Sequence, residues 1–390
     1  MDILFIAPGL TGSGVDYSST LATELEKRGH NVTALCFATY PQIETISSKP
    51  KWTLRSVDRY IWENITSRHP WITGYGRWAF NWLFYHRWKR AVVSELQDGA
   101  YDIVVTTRIC IAPSVIAANE QGVPSVIITT GPATVKYDPA DDSYDKTPSF
   151  REFGLGKKIQ YPFILAVHSW NEKAFATASE IVSVGEFDAS VTRETFGREP
   201  TIIYIPVPLE EFRTDKKTGS NITLVNPRDS NKGLDMFLEI ANRLPDESFL
   251  IAGSLYDDSL ESVINEMENV TYLGYCEDMS IVYAATKLLL TPSTYQEGGN
   301  RVIIEAFANG IPTIGSDIGG IPEYIGEGGD IVTAYTDSEA WVEVIDQYLT
   351  DREYYETKSK NARQRSQLFE QDHIVTTFEE LLSETVTNSG

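Results

Sequence analysis

Short β-rich runs alternate with helix-length amphipathic segments from one end of this chain to the other, and that alternation leaves few folds open. In the first half the runs are Ile3–Ala7, Val32–Phe37, Ile103–Thr106, Ser125–Thr129, Ile181–Val184 and Thr201–Ile205. In the second they are Ile222–Val225, Phe249–Ala252, Val270–Leu273, Leu288–Thr291, Pro312–Gly315 and Asp330–Val332. Strands joined by helices pair in parallel, with helices on both faces of the sheet. The expected fold class is therefore α/β, as two successive doubly wound, Rossmann-like parallel sheets. A chain of 390 residues is long enough for both. The polar stretch from Arg213 to Asn221 separates the two sets and is the expected linker, and a helical stretch near Asp372–Thr385 follows the last strand.

The segment richest in chemistry runs from Tyr295 to Pro312. A strand ending at Thr291 leads into Pro292-Ser293, Gly298-Gly299 permits a tight turn, Asn300 can cap a helix starting at Arg301, and Gly310 can end it. In a parallel sheet such a loop lies at the carboxyl ends of the strands, where ligands bind. The helix start offers unpaired N–H groups to an anion.

A cation at a helix N-terminus opposes the macrodipole by ~0.3–1 kcal/mol, so Arg301 calls for something negative nearby. Lys232 poses the same problem in Asn226-Pro-Arg-Asp-Ser-Asn-Lys-Gly233, where a second strand end meets a helix with apolar Leu234, Phe237, Leu238, Ala241 and Leu244. One diphosphate between the two cations would satisfy both, through charge-assisted bonds. Pairing of Arg301 and Lys232 with neighbouring acids such as Asp229 or Glu297 would satisfy them equally. Glu305 leans back toward the loop, because helical side chains tilt N-terminally. There it could accept hydrogen bonds from two adjacent hydroxyls of a ribose.

Composition excludes other classes. Against 33 Lys and Arg stand 55 Asp and Glu, a net charge of -22 that repels nucleic acid. Cys36, Cys110 and Cys276 are scattered, as are the five histidines, with no zinc-ligand spacing, so no metal site is expected and a reducing cytoplasm suits the thiols. The N-terminus lacks a signal-peptide pattern and no apolar run reaches the ~18 residues of a transmembrane helix. Asp141-Asp-Ser-Tyr-Asp145 reads as a solvated acidic loop.

Glu297-Gly-Gly-Asn-Arg-Val-Ile-Ile-Glu305 is similar to the Glu-x7-Glu motif of the retaining glycosyltransferases of family 4, which have the GT-B fold. Met279-Ser-Ile-Val-Tyr-Ala-Ala, Pro292-Ser293, Ala306-Phe-Ala-Asn-Gly-Ile-Pro-Thr and Ser316-Asp-Ile-Gly-Gly-Ile-Pro-Glu323 surround it in the family's order, and Asn226–Gly233 resembles its basic phosphate loop. The likeness is good over roughly residues 175–335. It implies an N-terminal acceptor domain (1–205), a C-terminal nucleotide-sugar domain (206–371) and a last helix (372–390) crossing back to the first domain. It implies that Lys232, with Arg228 or Arg301 beside it, neutralises the diphosphate leaving group and that Glu305 holds the ribose. Glu297 and the backbone at Gly298 and Gly299 would hold the sugar, in a donor site that also includes Asn300, Arg301 and Val302. Lys232 and Glu297 are the implied catalytic pair, and Gly319, Gly320 and Glu323 the implied turn and packing residues near that pocket.

The implied activity is transfer of a hexose from a nucleotide-diphosphate sugar to a hydroxyl of a glycan or lipid-linked acceptor, with no cofactor and no metal. Another GT-B nucleotide-sugar enzyme, such as an epimerase, and an inactive nucleotide-sugar-binding protein are the alternatives. Two departures are visible. The family's Arg precedes the Lys by five or six residues, whereas Arg228 precedes Lys232 by four, and the His many members carry after the strand matching Ser125–Thr129 is replaced by a Thr-Thr-Gly131 run.

In the first half, Gly12-Ser13-Gly14 resembles the family's glycine loop at the acceptor cleft. Dinucleotide binding needs Gly-x-Gly-x-x-Gly, and Gly9, Gly12 and Gly14 have that spacing reversed. Residues 51–90 hold six of the eight tryptophans (Trp52, Trp62, Trp71, Trp78, Trp82, Trp88) and eight Lys and Arg against Asp58 and Glu63, a local charge of +6. Such a segment either docks peripherally at the anionic inner face of a membrane or packs ordinary helices of the first domain.

Overall fold

A computed structural model of the protein describes residues 1–7, 17–37, 53–57, 77–131, 155–214 and 219–389. They form two compact units, Met1–Ile203 together with Val375–Gly390, and Tyr204–Ile374.

The first unit holds a seven-stranded parallel sheet in the order β3-β2-β1-β4-β5-β6-β7. Its strands are β1 (Asp2–Ile6), β2 (Asn31–Phe37), β3 (Thr53–Val57), β4 (Ile103–Thr107), β5 (Ser125–Thr129), β6 (Glu180–Ser183) and β7 (Thr201–Ile202). Its helices include α1 (Tyr17–Lys27), α2 (Arg77–Asp98), α3 (Ile111–Gln121), α4 (Leu155–Thr177) and α5 (Glu186–Phe196). The central strands β4 and β5 are buried throughout, which is why they read as continuous apolar runs. The edge strand β3 escaped sequence reading: Thr-Leu-Arg-Ser-Val lacks the apolar run of a strand covered on both faces.

The second unit holds a six-stranded parallel sheet, β10-β9-β8-β11-β12-β13. It opens with the short helix α6 (Leu209–Phe212), followed by β8 (Asn221–Val225), α7 (Leu234–Arg243), β9 (Phe249–Ala252), α8 (Leu260–Asn265), β10 (Val270–Tyr272), α9 (Met279–Ala285) and β11 (Thr286–Thr291). Then come α10 (Arg301–Ala308), β12 (Thr313–Ser316), α11 (Ile321–Ile325), β13 (Gly329–Val332), α12 (Ser338–Thr350) and α13 (Arg352–Ser366). Strand alternation splits the core between the two faces. Leu224 and Ile251 pack with Phe237 and Trp341 on one, and Val225 and Ala252 with Tyr283 and Ala306 on the other.

The expected linker is not the boundary. The chain divides at Ile203/Tyr204, and the described part of 213–221 is tied into the second unit: Asn309 Oδ1 accepts from the Thr214 N–H (2.9 Å) and Asn309 Nδ2 donates to the Phe212 carbonyl (2.9 Å). The last helix, α14 (Gln371–Ser389), has Glu379 accepting from Arg28 (2.9 Å) and bonded to His30 (2.7 Å), so its end belongs with the first unit.

Candidate functional site

Strands β8 and β11 lie side by side at the centre of the second sheet, and from them the chain winds outward in opposite directions. This is the topological switch point, where loops at the carboxyl ends diverge and leave a crevice. The loops that border it, residues 226–233 and 292–300, carry the residues the sequence singled out.

The two loops are locked together. The Thr294 N–H donates to the Asn231 carbonyl (2.9 Å). Gly233 has φ +77°, and a Cβ there would lie 1.9 Å from the Pro292 carbonyl oxygen, so only glycine allows the approach. Asn226, at the end of β8, also takes a left-handed conformation (φ 55°), which an asparagine tolerates.

Lys232 does not open a long helix. It closes a 3-10 turn, Ser230–Lys232, and α7 begins after Gly233. Its Nζ donates to Glu297 Oε2 at 2.7 Å, while the Ser293 hydroxyl donates to Glu297 Oε1 at 2.6 Å. Both oxygens of this buried carboxylate are thereby oriented, with the lysine a third exposed.

The backbone behind Glu297 is clamped. The Gly320 N–H donates to the Glu297 carbonyl (2.7 Å), and a Cβ at Gly320 would lie 2.3 Å from the Gly298 carbonyl oxygen. At Gly299 a Cβ would meet the Tyr324 hydroxyl at 2.4 Å. Gly319 and Gly320 are thus packing residues under the loop.

Helix α10 supplies the second pair. Arg301 Nε lies 2.8 Å from Glu305 Oε1, an ion-pair distance, although its N–H is not aligned for a hydrogen bond. The Tyr283 hydroxyl donates to Glu305 Oε2 (2.6 Å), and the Arg301 guanidinium lies over the Phe212 ring, 5.3 Å from its centre. Burial pushes the Glu305 carboxyl above the usual carboxylate range, and Arg301 and Tyr283 pull it partly back. Burial, then the Glu305 charge, holds the Tyr283 phenol well above its ordinary value, so it stays a donor.

The structure thus joins Lys232 with Glu297, one of the acids the sequence offered as an alternative to a diphosphate, and Arg301 with Glu305, the acid the sequence read as a ribose acceptor. Asn300 occupies the cap position of α10 but makes no side-chain cap bond, contrary to expectation. Val302 packs against the core face that holds Tyr283, and Arg228 is exposed. Tyr283 and Ser293 are the functional partners that sequence reasoning missed as such. Both lay inside runs already quoted, yet nothing in the spacing says which carboxylate each would reach.

In the first unit, Gly12, Ser13 and Gly14 lie outside the described residues, as do Trp52, Trp62, Trp71 and Asp141–Asp145. Trp88 is fully buried in the core with Leu4, Val92 and Val104, whereas Trp82 is partly exposed. Among the described residues no three His, Cys, Asp or Glu side chains could share a metal ion, and no helix is long and apolar enough to cross a membrane.

Residues 208–365, nearly the whole second unit, match the family described as "Glycosyl transferases group 1". This segment is similar to the members of that family. Its motif-bearing loops are the ones that border the switch point. Over 259 residues the chain is 26% identical to D-inositol 3-phosphate glycosyltransferase of Mycobacterium sp. (strain KMS), covering 60% of this chain and 56% of that one. Over 189 residues it is 26% identical to the GDP-mannose-dependent monoacylated alpha-(1-6)-phosphatidylinositol monomannoside mannosyltransferase of Corynebacterium glutamicum, covering 41% of this chain and 50% of that one. The chain therefore spans about half the length of these curated relatives. Among solved structures, Anabaena HepE in complex with UDP superposes with a TM-score of 0.73 at 18% identity, covering 98% of this chain and 100% of that one. The fold is GT-B, two Rossmann-like parallel-sheet units, as the glycosyltransferase resemblance implied.

Proposed function

We propose that this chain is a retaining glycosyltransferase that moves a hexosyl group from a nucleotide-diphosphate sugar to a hydroxyl of a glycan or lipid-linked acceptor. The observation that carries this is the paired arrangement at the switch point, Lys232 with Glu297 and Arg301 with Glu305, each cation beside a buried carboxylate. A diphosphate entering between the loops gives both cations a stronger anion. A carboxylate has about four acceptor sites, so Glu305 can hold two ribose hydroxyls while keeping Tyr283.

In the reaction the bond from the sugar's C1 to the β-phosphate oxygen breaks and a bond from C1 to the acceptor oxygen forms on the same face. The acceptor's proton passes to the departing phosphate oxygen. Lys232 stabilises the charge that builds there, and Glu297 the positive character at the sugar. No protein nucleophile and no cofactor enters this scheme, and positioning carries the rest.

HepE was solved with UDP and with UDP-glucose, and the Corynebacterium relative is named for GDP-mannose, so UDP- and GDP-sugars are the first donors to try. Binding is measured by titration calorimetry and turnover with phosphatidylinositol or oligosaccharide acceptors, and the product's anomeric configuration is read by NMR. A new glycosidic bond with the donor's configuration is expected. An inverted product overturns retention, and donor binding with no new bond overturns the transferase.

A further inference from the structure

Of the tryptophan-rich basic segment, the described side chains from Trp82 to Arg90 lie on α2, and only some of them enter the core. Trp82 of α2 lies 6.0 Å from Phe163 of α4, and Tyr85 stacks on Trp170 at 3.7 Å. Rising numbers on one helix meet rising numbers on the other, so the two helices run parallel. Each precedes a strand of the parallel sheet, β4 and β6, so both begin at the sheet's carboxyl edge.

Away from the core, the exposed sides of the two helices are apolar and cationic. On α4, Leu155 and Ile159 stand one turn apart and are 77% and 67% exposed. On α2, Leu83 is half exposed and shares its stripe with exposed Arg87 and Arg90. Lys89 is paired with Glu120 at 2.6 Å, but Arg87 and Arg90 have no ion-pair partner among the described residues. In a chain of net charge -22, residues 77–90 carry four Lys and Arg and no acid, and residues 155–171 carry two and no acid.

We propose that the exposed flank of these two helices, with Leu83, Arg87 and Arg90 along α2 and Leu155 and Ile159 at the start of α4, docks on an anionic lipid bilayer. The occupant is set by charge complementarity: on an acidic protein these stretches carry cations and no acid beside exposed apolar side chains, which suits lipid phosphates with acyl chains beneath them. This extends the proposed lipid-linked acceptor to the surface that presents it, and rests on that reading. It also enlarges the sequence-derived segment, because α4 contributes half of the surface.

The test is co-sedimentation with vesicles of phosphatidylcholine alone or mixed with phosphatidylglycerol. The parent should bind the anionic vesicles only, less as salt is raised. Arg87→Gln with Arg90→Gln should weaken binding by about thirtyfold, from ~1 kcal/mol per cation near the surface. Leu155→Ser with Ile159→Ser should also weaken it, and both side chains are exposed enough to change without unfolding the helix. Neither pair touches the donor site, so nucleoside diphosphate affinity should match the parent's. Equal binding to neutral vesicles, or variants that sediment like the parent, overturns the proposal. So does self-association that Leu155→Ser abolishes, which assigns the face to a second copy. Transfer without vesicle binding refutes the surface alone, and vesicle binding without nucleotide affinity refutes the transferase alone.

Discussion

Lys232 Nζ and Glu297 Oε2 are 2.7 Å apart, joined across the loops that follow two neighbouring strands. In the proposed function a diphosphate bound at this crevice has to compete with Glu297 for the ammonium group. This contact therefore opposes donor binding and orients the carboxylate at the same time.

Glu297→Gln removes the competing charge and keeps an acceptor for Ser293. Nucleoside diphosphate affinity should stay level or rise, because Lys232 is released to the phosphates. The value of kcat should fall, as expected for an interaction that strengthens in the transition state. Calorimetry with free nucleotide beside steady-state kinetics checks both, and lost nucleotide affinity would move Glu297 out of this role.

Lys232→Ala should weaken nucleoside diphosphate binding and cut turnover. From sequence, a cation leaving a helix start should relieve the macrodipole and leave stability level or raised. The observed pairing reverses that sign, because the buried Glu297 loses its counter-ion. The loss should fall between the ~0–1 kcal/mol of an exposed pair and the ~3–5 of a buried one. A melting curve without ligand reads it, and an unchanged or raised Tm would remove the pair's structural importance.

Much of this was legible in the sequence for a physical reason. Strand runs such as Ile103–Thr106 are buried on both faces, so they are apolar throughout, and the loops that carry chemistry must follow them. Lys232 and Glu297 could be named from their motifs. Which acid Lys232 takes, Asp229 or Glu297, could not be decided, since the pair spans 65 positions and depends on β8 lying beside β11. Tyr283 shows the same limit, 22 residues before the carboxylate it holds. The polar run 213–221 misled because polarity marks exposure and not a unit boundary, and one asparagine, Asn309, anchors the described start of the run at Thr214.

Gly233→Ala tests the loop lock. The added Cβ would meet the Pro292 carbonyl, and the residue would stay at φ +77°, a conformation that costs an alanine more than about 1 kcal/mol. Relief requires the 226–233 loop to move away from Pro292 and to carry Lys232 with it. Both Tm and nucleoside diphosphate affinity should drop. A lowered Tm with parental affinity would separate the lock from the site.

The Tyr283–Glu305 hydrogen bond makes ligand binding depend on pH. Glu305 is proposed to accept hydrogen bonds from ribose hydroxyls, for which the carboxylate must be charged. Burial already holds its carboxyl above the usual range, and the Tyr283 hydroxyl opposes that shift. Affinity for a nucleoside diphosphate should therefore decline as pH falls through the Glu305 titration. Tyr283→Phe removes a donor to the charged form, so the pKa rises further and the decline should begin at higher pH. Glu305→Ala should lower affinity for nucleoside diphosphate and nucleotide sugar alike by ~1.5–3 kcal/mol, and should lose the component of the pH profile that Tyr283→Phe displaces. The nucleotide's own phosphate titration is common to all three proteins and cancels in the comparison. Calorimetric titrations from neutral to mildly acidic pH would show it, and superimposable profiles for parent and Tyr283→Phe would mean that Glu305 holds no part of the ligand.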